Sequence, residues 1–413
     1  MSSSSSSSSS SHLQPAAAAS QQAPRVFPTS GFQVIDPADK VEEETLPCYN
    51  RDEYYPMRIG EVTGEHYQVV AKLGYGVTST VWLGRDLRDG KYWTLKVHIN
   101  SLRHNQERVV FHHLASVTTV TPGHPGKRHV RELHDSFTLT GPHGDHEVFV
   151  MAPLGMSLRT MQQRQPTRVF MKMLVTPAID QVLVGLDYLH EAEVVHTDLH
   201  SDNLLIAMTD DSILAKVEED EIREPSARKQ DVDRSIYVSR YMLGGAGPLT
   251  ICDFGQARIG REHIGHAMPL QFRAPEIILN MEWGSPVDMW AVGLLAWDLL
   301  EPKMLFDVYD TDSPELNNAH HLAAMTALLG PPPPEFLKRS GETSKYWSED
   351  GTWKGPVPVP TGLSLESRVT ALEGEDKELF LDLLSGLLRW LPEARLTALQ
   401  IYCHSWLRGY SDE

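Results

Sequence analysis

The chain has 413 residues, of which 41% are hydrophobic, so it can form one large or two medium domains around a sizeable core. Its net charge of −18 argues against nucleic-acid binding as the main activity and suits either a basic peptide substrate or simple solubility. No apolar run reaches the roughly 18 residues of a membrane span. Three widely separated cysteines favour a reducing compartment, the cytoplasm or the nucleus.

The N-terminal segment has a composition that cannot bury a core. It contains ten consecutive serines, Ser2–Ser11, followed by the alanine run Ala16–Ala19. We therefore predict that residues 1–45 are disordered. The lack of acidic residues before Asp36 leaves mitochondrial import open as an alternative, although Arg25 is the only Arg or Lys before that point.

Three β-rich runs indicate that regular structure begins near residue 67. They are Tyr67–Val70, Thr80–Leu83 and Tyr92–Val97, and Asp89-Gly90 before the third is a strong hairpin-turn signal. The last apolar strand of this region ends at Met151, which predicts a hinge over residues 152–155.

After the hinge the pattern becomes helical. Apolar residues from Ile179 to Leu189 recur on one helix face, with Thr176 as the predicted N-cap and Pro177 in the first turn. A small β-rich lobe (67–151) and a larger helical lobe (156–406) predict an α+β, two-lobed fold.

A glycine-rich turn lies at the start of the β-rich lobe. Gly74 and Gly76 let backbone N–H groups approach phosphate oxygens without a Cβ in the way, although Gly-x-Gly alone is more often only a turn. The pattern gains weight from Lys96 at a strand end, where a phosphate-contacting lysine belongs. Glu107, on the apolar face of a predicted helix, is the candidate ion-pair partner of Lys96; the alternative is a first-turn acid favoured by the helix dipole.

The most informative run is His196–Asn203. Asp198 is followed five residues later by Asn203, and Asp253-Phe254-Gly255 comes fifty residues further on. Spacing, order and a preceding β run make this motif specific. The intervening residues 209–248 read as an insert with nine acidic residues between 210 and 234, which we expect to loop out over the surface.

Two structural pairings are predicted in the helical lobe. Glu276, in Ala274-Pro275-Glu276, needs a cation, and Arg395 is the expected partner. Asp288, at the start of an apolar helix, is expected to cap the backbone of the His196–Asn203 run.

These motifs, in this order over residues 67–406, resemble those of eukaryotic protein kinases. The chain is more narrowly similar to the SR-protein kinases and their fungal relatives. This second resemblance rests on Tyr55–Glu61, on Gly76–Leu83, on Thr197 where most kinases have arginine, and on the insert before Asp253.

The resemblance implies ATP and Mg²⁺ as cofactors and the phosphorylation of serine in Arg/Ser-rich proteins. Asp198 would accept the proton of the substrate hydroxyl, Asn203 and Asp253 would hold Mg²⁺, and Lys96 with Glu107 would position the phosphates. Adenine would bond the hinge backbone. We expect a monomer with a protein substrate and no contact with nucleic acid or membrane. The residues expected around the nucleotide are Leu73, Gly74, Gly76, Val81, Lys96, Met151, Ala152 and Leu154.

Four positions depart from the usual kinase pattern. Ser79 stands in place of the third glycine, His200 in place of the catalytic-loop lysine, and Pro269 in place of a threonine. His200 could still donate a hydrogen bond to the phosphate corner. Thr197 replaces the arginine that normally pairs with a phosphorylated activation loop, and residues 256–273 contain no Ser, Thr or Tyr. We therefore predict an activation segment that is not switched by phosphorylation.

Three functions remain in contention at this stage. The first is an active serine/threonine kinase, and the second is a pseudokinase that binds nucleotide but transfers phosphate slowly or not at all. The third is a small-molecule phosphotransferase, which residues 198–203 also resemble. An acidic groove for basic peptides is one reading of residues 307–315, and a solvated loop is the other. The acidic residues concerned are Asp307, Asp310, Asp312 and Glu315.

Overall fold

The structure, a computed structural model, describes residues 22–118, 120–231, 233–242, 244–307 and 312–409. A six-stranded antiparallel sheet with one helix forms the first lobe, and a mainly helical lobe follows. The predicted α+β, two-lobed fold is confirmed. In the described ranges, no helix has the length and apolar character needed to cross a membrane.

Along the chain, most of the strands precede most of the helices. The strands are β1 (Val62–Thr63), β2 (Tyr67–Gly76), β3 (Ser79–Asp86), β4 (Tyr92–His98), β5 (Asp135–Gly141), β6 (Gly144–Met151), β7 (Leu154–Ser157), β8 (Val194–Val195), β9 (Leu204–Ala207), β10 (Arg228–Gln230), β11 (Ser235–Tyr237), β12 (Leu249–Ile251) and β13 (Arg258–Ile259). The helices are α1 (Gln106–Ser116), α2 (Leu158–Arg164), α3 (Lys172–Glu191), α4 (Ser212–Arg223), α5 (Pro275–Ile278), α6 (Pro286–Leu300), α7 (Asn317–Leu329), α8 (Pro334–Leu337), α9 (Leu365–Arg368), α10 (Gly374–Leu387), α11 (Ala398–Tyr402) and α12 (Ser405–Arg408).

The N-lobe sheet has the strand order β1-β2-β3-β4-β6-β5. The three predicted β runs lie within β2, β3 and β4, so these predictions are confirmed. The strand β6 ends at Met151 and β7 begins at Leu154, which leaves two residues to join the lobes. The catalytic loop, residues 196–203, lies in the second lobe between the short strands β8 and β9.

The long helix α3 differs from its prediction at the start. It begins at Lys172, so Thr176 and Pro177 lie inside the helix and not at its N-terminus. Pro177 has no N–H to donate to the carbonyl of Met173. Because Met173 and Pro177 are both exposed, water can satisfy that carbonyl. The predicted apolar face, including Ile179 and Leu186, is buried as expected.

The insert does not loop out over the surface, and that prediction is wrong. It forms helix α4 and the β10–β11 hairpin. Leu214 of α4 is buried against Val70 and Leu83 of the N-lobe sheet. Buried Glu218 accepts a hydrogen bond from the Tyr92 hydroxyl at 2.6 Å, which ties the same helix to β4.

Residues 22–45 also pack, contrary to the predicted disorder of residues 1–45. Phe27 is buried beside the sheet, and a short 3₁₀ turn covers Glu42–Thr45. Buried Lys72 of β2 forms ion pairs with Glu42 and Glu43 of this turn. These partners are distant in sequence, which is why composition alone suggested disorder. Residues 1–21 lie outside the described residues.

Candidate active site

A cavity of about 1040 Å³ lies between the two lobes. The glycine-rich turn forms its roof, the hinge its back, and the catalytic loop and the Asp253 segment its floor. Of the residues expected around the nucleotide, all line this cavity except Ala152. Those that line it are Leu73, Gly74, Gly76, Val81, Lys96, Met151 and Leu154.

An ion pair holds Lys96 in the cavity. Lys96 Nζ lies 2.6 Å from Glu107 Oε2 and 3.5 Å from Asp253 Oδ1. Burial alone would raise the pKa of Glu107, but the Lys96 ammonium lowers that pKa to about 2. Glu107 is held in place because α1 begins at the N-cap Asn105 and turns its apolar face inward. The predicted Lys96–Glu107 ion pair is confirmed.

The catalytic loop gathers three of the predicted side chains. Asn203 Nδ2 donates to the backbone carbonyl of Asp198 at 2.9 Å and to its carboxylate at 3.2 Å. His200 Nε2 lies 3.4 Å from Asp198 Oδ1 and 3.2 Å from Asn203 Nδ2. Burial alone would lower the pKa of His200, but the hydrogen bond and charge of Asp198 raise that pKa above its ordinary value.

Asp288 fixes the backbone just before Asp198. Its carboxylate, fully buried at the start of α6, accepts the N–H groups of His196 and Thr197, both at 2.8 Å. His190 Nε2 lies 2.9 Å from the same carboxylate. These two bonds hold the backbone at Thr197, whose φ of 65° is a strained value for a β-branched residue. The predicted capping role of Asp288 is confirmed.

The Asp253-Phe254-Gly255 segment faces the catalytic loop. Phe254 is buried, with its ring 5.6 Å from that of Phe111 on α1 and 5.5 Å from that of His196. This packing leaves Asp253, whose side chain is 49% exposed, at the edge of the cavity near Lys96. These edge-to-face ring contacts therefore link α1, the Asp253 segment and the catalytic loop.

Hydrogen bonds and an ion pair hold the activation segment, residues 256–273, at its two ends. The Thr197 hydroxyl donates to the backbone carbonyl of Gln256 at 2.8 Å, at the start of this segment. At the other end, Glu276 and Arg395 form a buried two-bond ion pair with distances of 2.6 Å, as predicted. Pro269 precedes a 3₁₀ turn, Leu270–Phe272, whose Phe272 ring lies 5.9 Å from the ring of His200.

Arg131 is a cavity residue that sequence reasoning missed. It is buried at the back of the cavity, where its Nε lies 3.4 Å from Met151 Sδ. Among the described residues its Nη1 has no acceptor, and burial lowers the pKa of the guanidinium. No motif marks this position, because an arginine between a valine and a glutamate normally reads as a surface residue.

The oxygen donors in the cavity suit a hard divalent cation. Asn203 uses its amide nitrogen to bond Asp198, so its carbonyl oxygen remains for a ligand. Asp253 adds a carboxylate. A small hard cation is commonly held by one or two such oxygens together with substrate phosphates.

The fold and the site together define a phosphotransferase of the protein kinase type, and comparisons with known proteins agree. The protein kinase domain family matches residues 67–407. A serine/threonine protein kinase of Aspergillus fumigatus is 42% identical over 93% of this chain and 95% of its own length. The serine/threonine-protein kinase SRPK of Physarum polycephalum is 30% identical over 86% of this chain and 89% of its own.

A solved kinase-domain crystal structure, 22% identical, matches the fold with a TM-score of 0.66, covering 87% of this chain and all of that one. The chain belongs to the protein kinase family. Within it, the chain is an SRPK-like, ATP-dependent serine/threonine kinase that acts on protein. Nothing in these matches favours the pseudokinase or the small-molecule phosphotransferase.

Proposed function

We propose that Asp198 is the base that accepts the proton of a substrate serine hydroxyl. The observation that carries this proposal is the convergence of Lys96, Asp198, Asn203 and Asp253 on one cavity. Asn203 and the Asp288-bound backbone hold the Asp198 carboxylate in place. Preorganised groups of this kind contribute by positioning and by electrostatics, which dominate phosphoryl transfer.

The nucleotide is proposed to lie under the glycine-rich turn with its base at the hinge. Pro153 has no N–H to donate, so the backbone bond to adenine is proposed to come from another hinge residue, Ala152 or Leu154. Lys96, fixed by Glu107, would contact the phosphates. Mg²⁺, proposed to be held by Asn203 and Asp253, supplies charge neutralisation of the phosphates when bound.

His200 is proposed to take the place of the usual catalytic-loop lysine. It lies beside both Asp198 and Asn203, where a donor can reach the transferred phosphate. Its imidazole is shorter than a lysine side chain, and its contact with the Phe272 ring limits its movement.

The substrate class is proposed to be basic, Arg/Ser-rich protein. The support for this proposal is the net charge of −18 and the acidic residues that follow α6. Asp307, Asp312 and Glu315 are exposed and could add attraction, whereas Asp310 lies outside the described residues.

The chain is proposed to act as a monomer in the cytoplasm or the nucleus. Lys96, Asp198, Asn203 and Asp253 line one cavity, so the proposed reaction needs no residue from a second copy. Cys48 and Cys403 are exposed as free thiols and Cys252 is buried as one, which suits a reducing compartment.

The test is transfer of labelled phosphate from γ-labelled ATP with Mg²⁺ to an Arg-Ser repeat peptide. We expect transfer by the wild-type chain and by the Asp187→Asn control on the surface of α3, and its loss in Asp198→Asn. Equal transfer to a Lys-Ser peptide would contradict the preference for arginine. If no transfer occurred while ATP still raised the Tm, the base assignment would fail and a pseudokinase would be indicated.

A further inference from the structure

A tyrosine outside the kinase domain match touches the tip of the glycine-rich turn. Tyr54 is buried, and its hydroxyl lies 3.0 Å from the backbone carbonyl of Gly76 and 3.0 Å from that of Val77. The phenol can donate its one proton to either carbonyl, so the two bonds share a single donor. Val77 itself is exposed at the end of the β2–β3 hairpin.

The next carbonyl of the turn is held as well. The N–H of Ile99, just after β4, donates to the carbonyl of Thr78 at 3.0 Å. The carbonyls of Gly76 and Val77 thus share the Tyr54 hydroxyl as donor, and the carbonyl of Thr78 has the Ile99 N–H. In the part of the chain that the structure describes, the N–H groups of Val77 and Thr78 donate to no protein acceptor.

Because the peptide bond is planar, the contact with Tyr54 also fixes the direction of the neighbouring N–H groups. In a trans peptide unit the C=O and the following N–H point in opposite directions. When Tyr54 holds the carbonyls of Gly76 and Val77, the N–H groups of Val77 and Thr78 must therefore point away from Tyr54. The same turn lines the cavity that also contains Lys96 and Asp253. Backbone N–H groups without acceptors bind phosphate oxygens well.

We propose that Tyr54 is a positioning residue for the nucleotide: its hydroxyl holds the glycine-rich turn so that the N–H groups of Val77 and Thr78 face the phosphates of ATP. The inference rests on the proposed role of the cavity as the nucleotide site. Tyr54 does not touch the nucleotide itself. It removes the carbonyl dipoles from the phosphate side and fixes the turn before binding, which reduces the ordering cost.

The backbone of Tyr54 is itself anchored, so the hydroxyl is a fixed donor. The carbonyl of Glu53 accepts the N–H of Asn100 at 3.0 Å, and the Glu53 carboxylate accepts the Ser101 hydroxyl at 2.6 Å. From the insert, Arg234 Nη1 donates to the carbonyl of Arg51 at 2.6 Å. Burial and nearby glutamates raise the pKa of Tyr54 to about 12, so the hydroxyl keeps its proton at neutral pH.

The test is to measure the affinity of the full-length chain for Mg²⁺-ATP and for adenosine by titration calorimetry. Tyr54→Phe removes only the hydroxyl and keeps the packed ring. The matched control is Tyr55→Phe, whose ring contacts His146 and not the glycine-rich turn. We expect Tyr54→Phe to raise the Kd of Mg²⁺-ATP about threefold to tenfold, the effect of one hydrogen bond, and to leave the Kd of adenosine unchanged.

In kinetics, the KM for ATP should rise in Tyr54→Phe and the KM for peptide should not. Equal loss of ATP and adenosine binding would show a general structural role and overturn the inference, as would unchanged ATP affinity. A second measurement is hydrogen exchange at Val77 and Thr78, which ATP should protect in the wild-type chain and protect less in Tyr54→Phe. A wild-type chain that binds adenosine and ATP equally would also overturn it, and one that binds neither would overturn the proposed function on which it rests.

Discussion

His200 stands where the usual kinase pattern has the catalytic-loop lysine. Its imidazole lies in contact with Asp198 and Asn203, so the position keeps a donor even though the lysine is gone. A histidine and a lysine differ in reach, and the position of Phe272 against the imidazole ring shows that the surroundings accommodate the shorter group.

We expect His200→Ala to lower kcat about tenfold to a hundredfold, because one preorganised donor to developing charge is lost. His200→Lys should restore most of the rate. Steady-state kinetics with the Arg-Ser peptide measure both variants, and His112→Ala on the exposed face of α1 is the control. An unchanged kcat in His200→Ala would exclude His200 from the reaction.

His321 is a buried base with no use in the site. It is fully buried in α7, and among the described residues neither ring nitrogen has a hydrogen-bond partner. Burial and the nearby charge of Arg273 lower its pKa to about 3. The folded chain therefore keeps His321 neutral at pH values at which the unfolded chain protonates it.

Stability should fall as the pH drops below the ordinary histidine pKa of about 6.5 and continue to fall towards pH 3. The His321 contribution between pH 7 and pH 5 is about 2 kcal/mol of unfolding free energy. We expect His321→Phe to remove this part of the pH dependence, measured by urea unfolding at both pH values, and the exposed His112→Phe control to retain it. Parallel losses in wild type and His321→Phe would contradict the assignment.

Individual site residues could be predicted from sequence where a motif is contiguous. Asp198 and Asn203 lie five residues apart on one loop, so their contact follows from local geometry. Arg131 and Tyr54 gave no signal, because their roles depend on what lies beside them across the fold. Arg131 meets Met151 only because β5, which follows Arg131, pairs with β6, the strand that ends at Met151. Tyr54 meets Val77 only because the chain before the sheet folds back.

At the scale of elements, helix α4 shows how a charged insert can become part of a core. Glu218 is fully buried, with Tyr92 bonded to it and the guanidinium groups of Arg85 and Arg25 at 3.3 and 3.4 Å. Glu221 is also buried, beside Arg228 and Arg240.

Glu218→Ala should lower the free energy of unfolding by about 3 kcal/mol, since it leaves buried arginine without its counter-charge. The exposed neighbour Glu219→Ala makes the same change of residue type on the same helix and should cost less than about 0.5 kcal/mol. Denaturant unfolding measures both. Equal effects of the two substitutions would show that α4 contributes only its helix propensity.

Sequence reasoning about elements succeeded where periodicity was local and failed where charge was paired over distance. The strands β2, β3 and β4 and the face of α3 were predicted because their apolar spacing is visible in short windows. The insert was predicted to loop out because its acidic residues read as solvated. The cations of Glu218 are Arg25 and Arg85, more than a hundred residues away, and no local pattern reveals that pairing.

At the scale of the whole molecule, the N-terminal segment, the insert and the N-lobe form one assembly. Lys72 of the sheet pairs with Glu42 and Glu43, and Lys229 of the insert pairs with Glu44 at 2.9 Å. The segment that carries Tyr54 is bonded to the insert in the same way, through Arg51 and Asp233. Lys72 lies in β2, the strand that leads into the glycine-rich turn, so the ion pairs with Glu42 and Glu43 attach the N-terminal segment to that strand.

In the helical lobe, the start of the activation segment is tied to the catalytic loop by the bond between Thr197 and Gln256. We expect a bacterially expressed chain to phosphorylate the peptide with no lag, and phosphatase treatment to leave its rate unchanged. The physical reason is that the Thr197 hydroxyl already bonds Gln256, and residues 256–273 have no hydroxyl side chain to modify. Intact-mass spectrometry before and after treatment checks the phosphate content. A rate that falls on dephosphorylation would contradict this expectation.

The bond between Thr197 and Gln256 has a consequence for how the enzyme can be governed. A kinase with a phosphorylated activation loop can be activated by an upstream kinase and inactivated by a phosphatase. Residues 256–273 of this chain have no Ser, Thr or Tyr for such a phosphate. We therefore expect its activity to be controlled outside this loop, through the amount of the enzyme, its lifetime and its access to substrates.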